Sequence, residues 1–174
     1  MMFQKTAAIA ASVLLAGLAG CAKPETAAAP AAVDTAKVAE TIKADVNQLV
    51  ADFMSKDVDK AVSHDAPDYV GMFHGQPNVV GPAGDAEITK LQMADPNADL
   101  KITIDAVDVA QAGDMAVART TYAYTFSDPA TKAAKTEHGN WVLGYKKQAD
   151  GAYKVAWAVV SDTPAPAAAA PAAK

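Results

Sequence analysis

The segment from Gly139 to Trp157, GNWVLGYKKQADGAYKVAW, carries the strongest local signal for the fold of this chain. Asp150 and Gly151 in its second half form a dipeptide that strongly favours a tight hairpin turn. We therefore predict a strand on each side of this turn, from Glu137 to Lys147 and from Tyr153 to Ser161. A hairpin at this place indicates an antiparallel sheet in the C-terminal half of the chain.

Two further strands are expected before this hairpin, because apolar residues upstream recur at every second position. The alternation begins at Leu100 and continues to Val109, and Ala112-Gly113-Asp114 supplies a turn. A long strand from Met115 to Phe126 follows. The sequence thus predicts four antiparallel strands in succession.

The segment before the sheet has the three- and four-residue spacing of an amphipathic helix. Asp34 or Thr35 can cap its first turn. The apolar positions that share one face are Val38, Ile42, Val46, Leu49, Val50 and Phe53. We therefore predict one long helix with its apolar face toward the core.

Two shorter helices and one strand are expected between the long helix and the four strands. Asp57 caps a short helix over Val58 to Ser63, and a strand from Asp68 to Phe73 follows it. The next segment, GQPNVVGPAG, is expected to be a loop. Asp85 then caps a third helix from Ala86 to about Met93.

The order and spacing of these pieces resemble the nuclear transport factor 2-like (NTF2-like) superfamily, in particular its SnoaL-like and DUF4440-like members. The matching pieces are the long helix, the helix start Asp57-Val58-Asp59, the loop NVVGPAGDAEI and the closing hairpin. The resemblance covers Val33 to Asp162. It implies an α+β, cystatin-like cone in which three N-terminal helices pack on a strongly bent, mainly antiparallel sheet. It also implies a homodimer formed through the open sheet face.

Catalytic members of that superfamily carry acid and base groups inside the cone, where burial adjusts their pKa for proton transfer near pH 7. Ketosteroid isomerase-like members have a carboxylate near the end of the strand after the second helix, where this chain has Met72-Phe73-His74. Several DUF4440-like members have a His-Asp-His type run on the last strand, where this chain has Trp157-Ala158-Val159. Both differences argue against the acid/base chemistry known in the superfamily.

A looser set of polar side chains remains as a candidate pocket, because in a cone two neighbouring strands can bring them together with groups from the first strand. Its members are Arg119, Thr121, Thr125, His138, Asn140, Tyr69 and His74. Within it His138 is a candidate base, and Arg119 or a tyrosine a candidate partner for an oxyanion. The alternative is that Arg119 and His138 face solvent or pair with carboxylates.

Aromatic residues of the sheet are candidates for ligand contact, with Tyr122 and Trp157 retained as binding residues. The full set is Trp141, Trp157, Tyr122, Tyr124 and Phe126. Such residues more often form sheet core or a dimer surface than a ligand cage. If these residues contact a ligand, the expected ligand is a small apolar or aromatic molecule.

The chain has three histidines, His64, His74 and His138, and a metal site made from them is conceivable. No two of them stand at a spacing typical of helical or hairpin ligands, so we predict no metal site and no cofactor. His64, next to Asp65 at a helix end, is expected to be a surface residue.

The N terminus has the pattern of a signal peptide over residues 1–20: a charged start at Lys5, an apolar run from Ala7 to Leu18, and small residues. That run is short for a transmembrane span. Leu18-Ala19-Gly20-Cys21 resembles the lipobox of bacterial lipoproteins. The alternative is an incidental thiol just beyond an ordinary secretory cleavage site.

The lipobox resemblance implies that Cys21 is the first residue of the mature protein and carries acyl chains such as palmitate. Several chains would hold the protein on a membrane permanently. Ala22 stands where the resemblance would require Asp for retention in the inner membrane. We therefore expect an outer-membrane anchor with the domain in the periplasm.

Composition limits the partners and the domain bounds. The formal net charge is -5 and no Lys/Arg cluster is present, which argues against nucleic-acid binding. Low-complexity Ala/Pro composition predicts a disordered tether over residues 21–32 and a disordered tail over 163–174. A single domain over residues 33–162 lies between them.

These observations favour an anchored periplasmic lipoprotein whose domain is a non-enzymatic binding or assembly module. The second hypothesis is a lyase, isomerase or hydrolase that uses His138 and Arg119. The third is a structural spacer in the cell envelope.

Overall fold

The computed structural model of the protein describes residues 32–164. Residues 1–31, with the expected signal peptide, Cys21 and most of the tether, and residues 165–174 of the expected tail lie outside the described residues. Between residues 32 and 164, no helix combines the length and the hydrophobicity that a bilayer crossing requires.

The described part of the chain contains three helices and six strands. The helices are α1 (Thr35–Met54), α2 (Val58–Val62) and α3 (Gly81–Met93). The strands are β1 (Asp65–Phe73), β2 (Val79–Val80), β3 (Asp99–Val109), β4 (Met115–Ser127), β5 (Ala134–Lys147) and β6 (Tyr153–Thr163). The prediction of three helices and four successive C-terminal strands is confirmed.

Carboxylate caps fix the starts of α1 and α2. Asp34 Oδ1 accepts a hydrogen bond from the backbone N–H of Lys37 at 3.0 Å, and Asp57 Oδ1 does the same for Lys60 at 3.1 Å. Each cap satisfies an N–H group that has no partner within its helix. The apolar face of α1 is buried through Ile42 and its neighbours at helical spacing.

The third helix begins earlier than the sequence pattern indicated. It starts at Gly81, whose φ of 71° suits glycine, and Pro82 stands in its first turn, where a missing N–H costs nothing. Asp85 is therefore not the cap but an interior residue of α3. Its side chain is free to face the core of the domain.

The first strand is also longer than predicted. It begins at Asp65 rather than Asp68, and its register against β6 shifts between Asp65 and Val70, the interval that contains Pro67. Proline lacks the N–H that a regular ladder needs, so an irregular pairing is expected there. The segment expected to be only loop contains β2, which pairs with β1.

The six strands form one curved sheet in the order β2-β1-β6-β5-β4-β3. All neighbours are antiparallel except β1 and β6, which are parallel. Register shifts in the β3–β4 and β5–β6 pairs mark bulges, which bend a sheet locally. The prediction of an α+β cone with a mainly antiparallel sheet is confirmed.

The helices lie on one face of the sheet and bury a single main core. Its most buried members come from α1 and from the central strands: Ile42, Val46, Ala118, Leu143, Tyr145, Val155 and Ala158. Tyr145 also donates its hydroxyl hydrogen to Asp45 Oδ2 at 2.9 Å, which ties β5 to α1.

The prediction that His64 is a surface residue is wrong. His64 is only 7 % exposed, and its ring lies between two carboxylates of α1. Nδ1 is 2.8 Å from Asp45 Oδ1, and Nε2 is 3.0 Å from Asp52 Oδ2. The helix periodicity places Asp45 and Asp52 two turns apart on one side of α1, and the histidine fills the space between them.

Candidate functional site

A cavity of about 410 Å³ lies inside the cone, between the helices and the sheet. This volume falls within the roughly 300–1,000 Å³ typical of small-molecule sites. Most of its wall is apolar or aromatic and includes Leu49, Phe53, Leu100, Tyr124, Phe126 and Leu143. Phe53 meets Tyr124 edge-on, and Tyr124 stacks on Phe126, so this wall is held by aromatic contacts.

Asp65, the first residue of β1, supplies the most unusual polar group of the wall. Its Oδ2 atom is buried and has no hydrogen-bond partner within residues 32–164. Burial, assisted by the negative charge of Asp85, raises the pKa of Asp65 to about 8, although His64 and Lys154 act in the opposite direction. At pH 7 the carboxyl is mostly protonated and can both donate and accept a proton.

Asp85 and Tyr69 stand beside Asp65 in the same wall. Burial raises the pKa of Asp85, while hydrogen bonds from Thr89, at 3.4 Å, and from Tyr69 lower it in part. Tyr69 is 3 % exposed, and burial together with the two nearby carboxyls raises the pKa of its hydroxyl. Tyr69 therefore keeps its proton at neutral pH and serves as a hydrogen-bond donor.

A second polar group in the wall connects β1, β4 and β5. The Tyr122 hydroxyl donates to Glu137 Oε1 at 2.6 Å. His74 Nε2 lies 3.8 Å from Glu137 Oε2, and its Nδ1 lies 3.4 Å from Asp162 Oδ1. Burial, followed by the contact with Glu137, raises the pKa of Tyr122. Within this group, Glu137 Oε1 is thus already occupied by an internal hydrogen bond.

Trp141 brings a hydrogen-bond donor to the cavity wall. Its Nε1 atom is buried and lacks a hydrogen-bond acceptor within the described residues. Over residues 32–164, only Asp65 Oδ2 and Trp141 Nε1 are buried side-chain polar atoms without a partner. Both belong to residues that line this cavity, although each of the two atoms is itself covered by the surrounding protein.

The structure divides the sequence-derived candidates between two faces of the sheet. Tyr69, His74 and Tyr122 line the cavity. Arg119, His138, Asn140 and Trp157 do not, and neither do Thr121 and Thr125. The expectation that the polar residues of β4 and β5 converge with Tyr69 is wrong, because alternate strand residues point to opposite faces and Tyr122, Glu137 and Trp141 hold the inner positions.

The outer-face residues have partners of their own. Arg119 Nε pairs with Asp108 Oδ2 at 3.1 Å, and both side chains are exposed, which is the alternative considered for Arg119. Thr125 shares a hydrogen bond with Thr136. The indole of Trp157 lies against the backbone of Gly144, where a side chain would collide with it.

Sequence inspection missed Asp65 and Asp85. Pro67 concealed the start of β1, and the irregular pairing between Asp65 and Val70 breaks the alternation that would otherwise relate Asp65 to Tyr69. Pro82 was the signal for the true start of α3, since proline favours the first turn of a helix. With that start, Asp85 falls inside the helix one turn before Thr89.

Within residues 32–164, no three His, Cys, Asp or Glu side chains are grouped in a way that could hold a metal ion. The nearest to such a group is His64 with Asp45 and Asp52. There both ring nitrogens already contact carboxylate oxygens.

A family model described as a SnoaL-like domain matches residues 42–165 of the chain. The match takes in most of α1, both shorter helices and all six strands. No curated protein has significant similarity to the sequence.

Solved structures share the fold at low sequence identity. A ketosteroid isomerase-like protein from Erwinia carotovora is 23% identical, with a TM-score of 0.62 and coverage of 72% of this chain and 96% of that chain. An NTF2-like superfamily protein from Salmonella enterica is 16% identical, with a TM-score of 0.62 and coverage of 78% and 96%. A cystatin-like domain from Nostoc punctiforme is 9% identical, with a TM-score of 0.61 and coverage of 72% and 76%.

Proposed function

The chain belongs to the family of SnoaL-like domains, and we propose that it is a binding module. In this proposal the cavity of the cone holds a small, mainly apolar molecule. The observation that carries this proposal is the cavity of about 410 Å³ with its mainly apolar and aromatic wall, in which Asp65 and Trp141 each have a buried polar atom without a partner. An unsatisfied buried polar group costs about 1–3 kcal/mol, and a ligand toward which either side chain turns would remove that cost.

The proposal includes the place where the module works. The lipobox at Leu18 to Cys21 supports lipid attachment at Cys21, and Ala22 supports the outer membrane as the destination. The tether after Cys21 then holds the domain in the periplasm, away from the lipid surface. A second copy packed on the outer sheet face would complete a homodimer and leave both cavities accessible.

Native mass spectrometry tests the ligand and the subunit number together. The chain from Ala22 to Lys174 contains every described helix and strand, and it is expressed in the periplasm without its anchor and purified gently. We expect a dimer with an added small mass. We expect that mass to be lost from Asp65→Asn and Trp141→Phe but retained by Arg119→Ala and His138→Ala, which change only the outer face. If Asp65→Asn and Trp141→Phe keep the added mass while Arg119→Ala and His138→Ala lose it, the ligand binds on the outer face and not in the cavity.

Proton transfer is a second candidate function, supported by the carboxyl of Asp65, whose pKa lies near 8 beside the hydroxyl of Tyr69. A group with a pKa near the working pH can remove a proton from carbon and return it at another position. One of the solved structures that share the fold is a ketosteroid isomerase-like protein. In this hypothesis Asp65 moves the proton, and Tyr69 donates a hydrogen bond to the oxygen that becomes negative.

Isomerisation of β,γ-unsaturated cyclic ketones, followed by the absorbance of the conjugated product, tests this second function. We expect Asp65→Asn to reduce the rate about 100-fold or more, as the loss of a general acid/base does. Arg119→Ala and His138→Ala are expected to leave the rate unchanged. A rate that persists in Asp65→Asn would remove Asp65 from the mechanism.

A further inference from the structure

The ionisable groups that line the cavity are almost all acidic. Asp65, Asp85, Asp95 and Glu137 belong to its wall, and among the described residues neither lysine nor arginine does. His74 is the one wall residue that can carry a positive charge, and it already lies beside Glu137 and Asp162. An anionic ligand would therefore meet four carboxyl groups and no available cation, which disfavours its binding.

Three of these four carboxyl groups have partners inside the protein. Asp95 accepts hydrogen bonds from the backbone N–H and the hydroxyl of Ser127, both at 2.7 Å. Glu137 accepts from Tyr122, and Asp85 accepts from Thr89. Among these four, only Asp65 has a buried oxygen without a partner in the described residues, so its carboxyl is the one left to pair with a ligand.

The surroundings of Asp65 explain why it lacks a cation. Lys154 is near enough to influence it, but the Lys154 ammonium donates to the carbonyl oxygen of Ser63 and is not part of the cavity wall. His64 is held by Asp45 and Asp52. Of the remaining neighbours, Asp85 is a second carboxyl, and Tyr69 and Tyr145 carry neutral hydroxyl groups.

Accepting that the cavity binds a small molecule, we propose that the molecule is a primary or secondary amine on an aromatic or alicyclic body, with its ammonium group against the carboxylate of Asp65. An ammonium group supplies both the charge and the N–H donors that Asp65 lacks. Aromatic rings in the wall, among them Tyr69, Phe53 and Trp141, attract a cation through their faces. The N–H of Trp141 is available to a hydroxyl, carbonyl or ether oxygen on the same molecule.

Probes that share one body and differ in charge test this inference. Tryptamine, tryptophol and indole-3-acetate form one set, and phenethylamine, 2-phenylethanol and phenylacetate form a second. Binding to the Ala22–Lys174 chain is measured by calorimetry at pH 7 in two buffers of different ionisation enthalpy. We expect each amine to bind at least tenfold more tightly than its alcohol, and each carboxylate to bind most weakly.

The same titrations, compared between the two buffers, also measure how many protons are released when an amine binds. Since the free Asp65 is mostly protonated at pH 7, formation of the ion pair should release close to one proton from Asp65 for each amine bound. Asp65→Asn should abolish both the preference and the proton release. Asp68→Asn, which alters an exposed carboxylate of β1 paired with Lys146, is the matched control and should preserve both.

Three outcomes would overturn the pairing of an amine with Asp65 while leaving the proposed binding function intact. One is equal affinity for amine and alcohol, and a second is a tenfold preference that survives Asp65→Asn. In the third, neither set binds and a neutral molecule is retained in native mass spectrometry, which also excludes the amine. If neither set binds and no molecule is retained, the binding function fails as well.

Discussion

His64 and Asp65 are adjacent in the chain, yet their side chains have opposite electrostatic surroundings. A carboxylate oxygen lies within 3.0 Å of each ring nitrogen of His64. The buried oxygen of Asp65 has no partner within residues 32–164, and the negative charge of Asp85 in the same wall helps to raise its pKa. One residue therefore anchors β1 to α1, while the next presents an unpaired group to the cavity.

The pH dependence of stability should reveal His64. Burial lowers the pKa of His64, but the hydrogen bonds and charges of Asp45 and Asp52 outweigh it and raise the pKa above 6.5. The stability from this charged histidine is fully present below pH 6.5 and is lost as the pH rises through the raised value. We expect His64→Gln to lose about 1–3 kcal/mol at pH 6 and less at pH 9, by urea unfolding. His138→Gln is the control, and an equal loss at both pH values would contradict the prediction.

Ionised Asp65 should destabilise the fold, whereas charged His64 stabilises it, because the pKa of about 8 for Asp65 in the folded protein lies above the ordinary 3.8. Folding then costs free energy once the unfolded carboxyl ionises, so stability falls between about pH 4 and pH 8. We expect Asp65→Asn to raise the free energy of unfolding at pH 8 by on the order of 2–4 kcal/mol and to change it little at pH 4. Asp68→Asn provides the comparison. Destabilisation of Asp65→Asn at both pH values would refute the argument.

The hydrogen bond between Tyr122 and Glu137 should contribute to stability as a charge-assisted bond. We expect Tyr122→Phe to lower the free energy of unfolding by about 1.5–3 kcal/mol at pH 7. Tyr124→Phe should cost less, since the Tyr124 hydroxyl has no hydrogen bond within the described residues. A double-mutant cycle with Glu137→Gln measures the coupling, and purely additive losses would exclude the bond as the cause.

Gly144 should be intolerant of any side chain, because a Cβ atom there would overlap the indole of Trp157. We expect Gly144→Ala to cost about 1–3 kcal/mol, the usual cost of overpacking. Gly144→Ala should cost less stability when it is introduced into Trp157→Leu than when it is introduced into the unaltered protein. Thermal unfolding of the four proteins measures this. If Gly144→Ala costs the same stability in both backgrounds, the cause is the backbone at Gly144 and not a clash with Trp157.

Lipid attachment at Cys21 predicts where the protein is found in cells. We expect the complete chain in the membrane fraction, with a mass increase on its N-terminal peptide that corresponds to acylation. Cys21→Ser should remove the added mass and move the protein out of that fraction. Cell fractionation with mass spectrometry tests this. An unmodified cysteine in a fully soluble protein would support the alternative of an incidental thiol.

Much of the fold could be predicted because its signals are local. Alternating apolar residues predicted β3 and β4, Asp150-Gly151 predicted the final hairpin, and Asp34 with a helical apolar face predicted α1. The errors fell where proline interrupts a pattern. Pro67 interrupts the alternation near the start of β1. Pro82, and not Asp85, marks the first turn of α3.

The candidate site was predicted only in part. Tyr69, His74 and Tyr122 were expected in a pocket and line the cavity. Arg119 and His138 were expected to join them, but they occupy the other set of alternating positions. The sequence shows which residues share a strand face, but it does not show which face the helices cover.

The order of helices and strands and the antiparallel pairing of the last four strands follow from the sequence alone, because their signals are local. The tertiary structure decided which side of the sheet is interior and which carboxyl groups have partners. It placed His64 between two carboxylates that come from another element, and it left Asp65 without a cation. Hydrogen bonds and burial between residues far apart in the chain depend on how the elements pack, so local patterns cannot supply them.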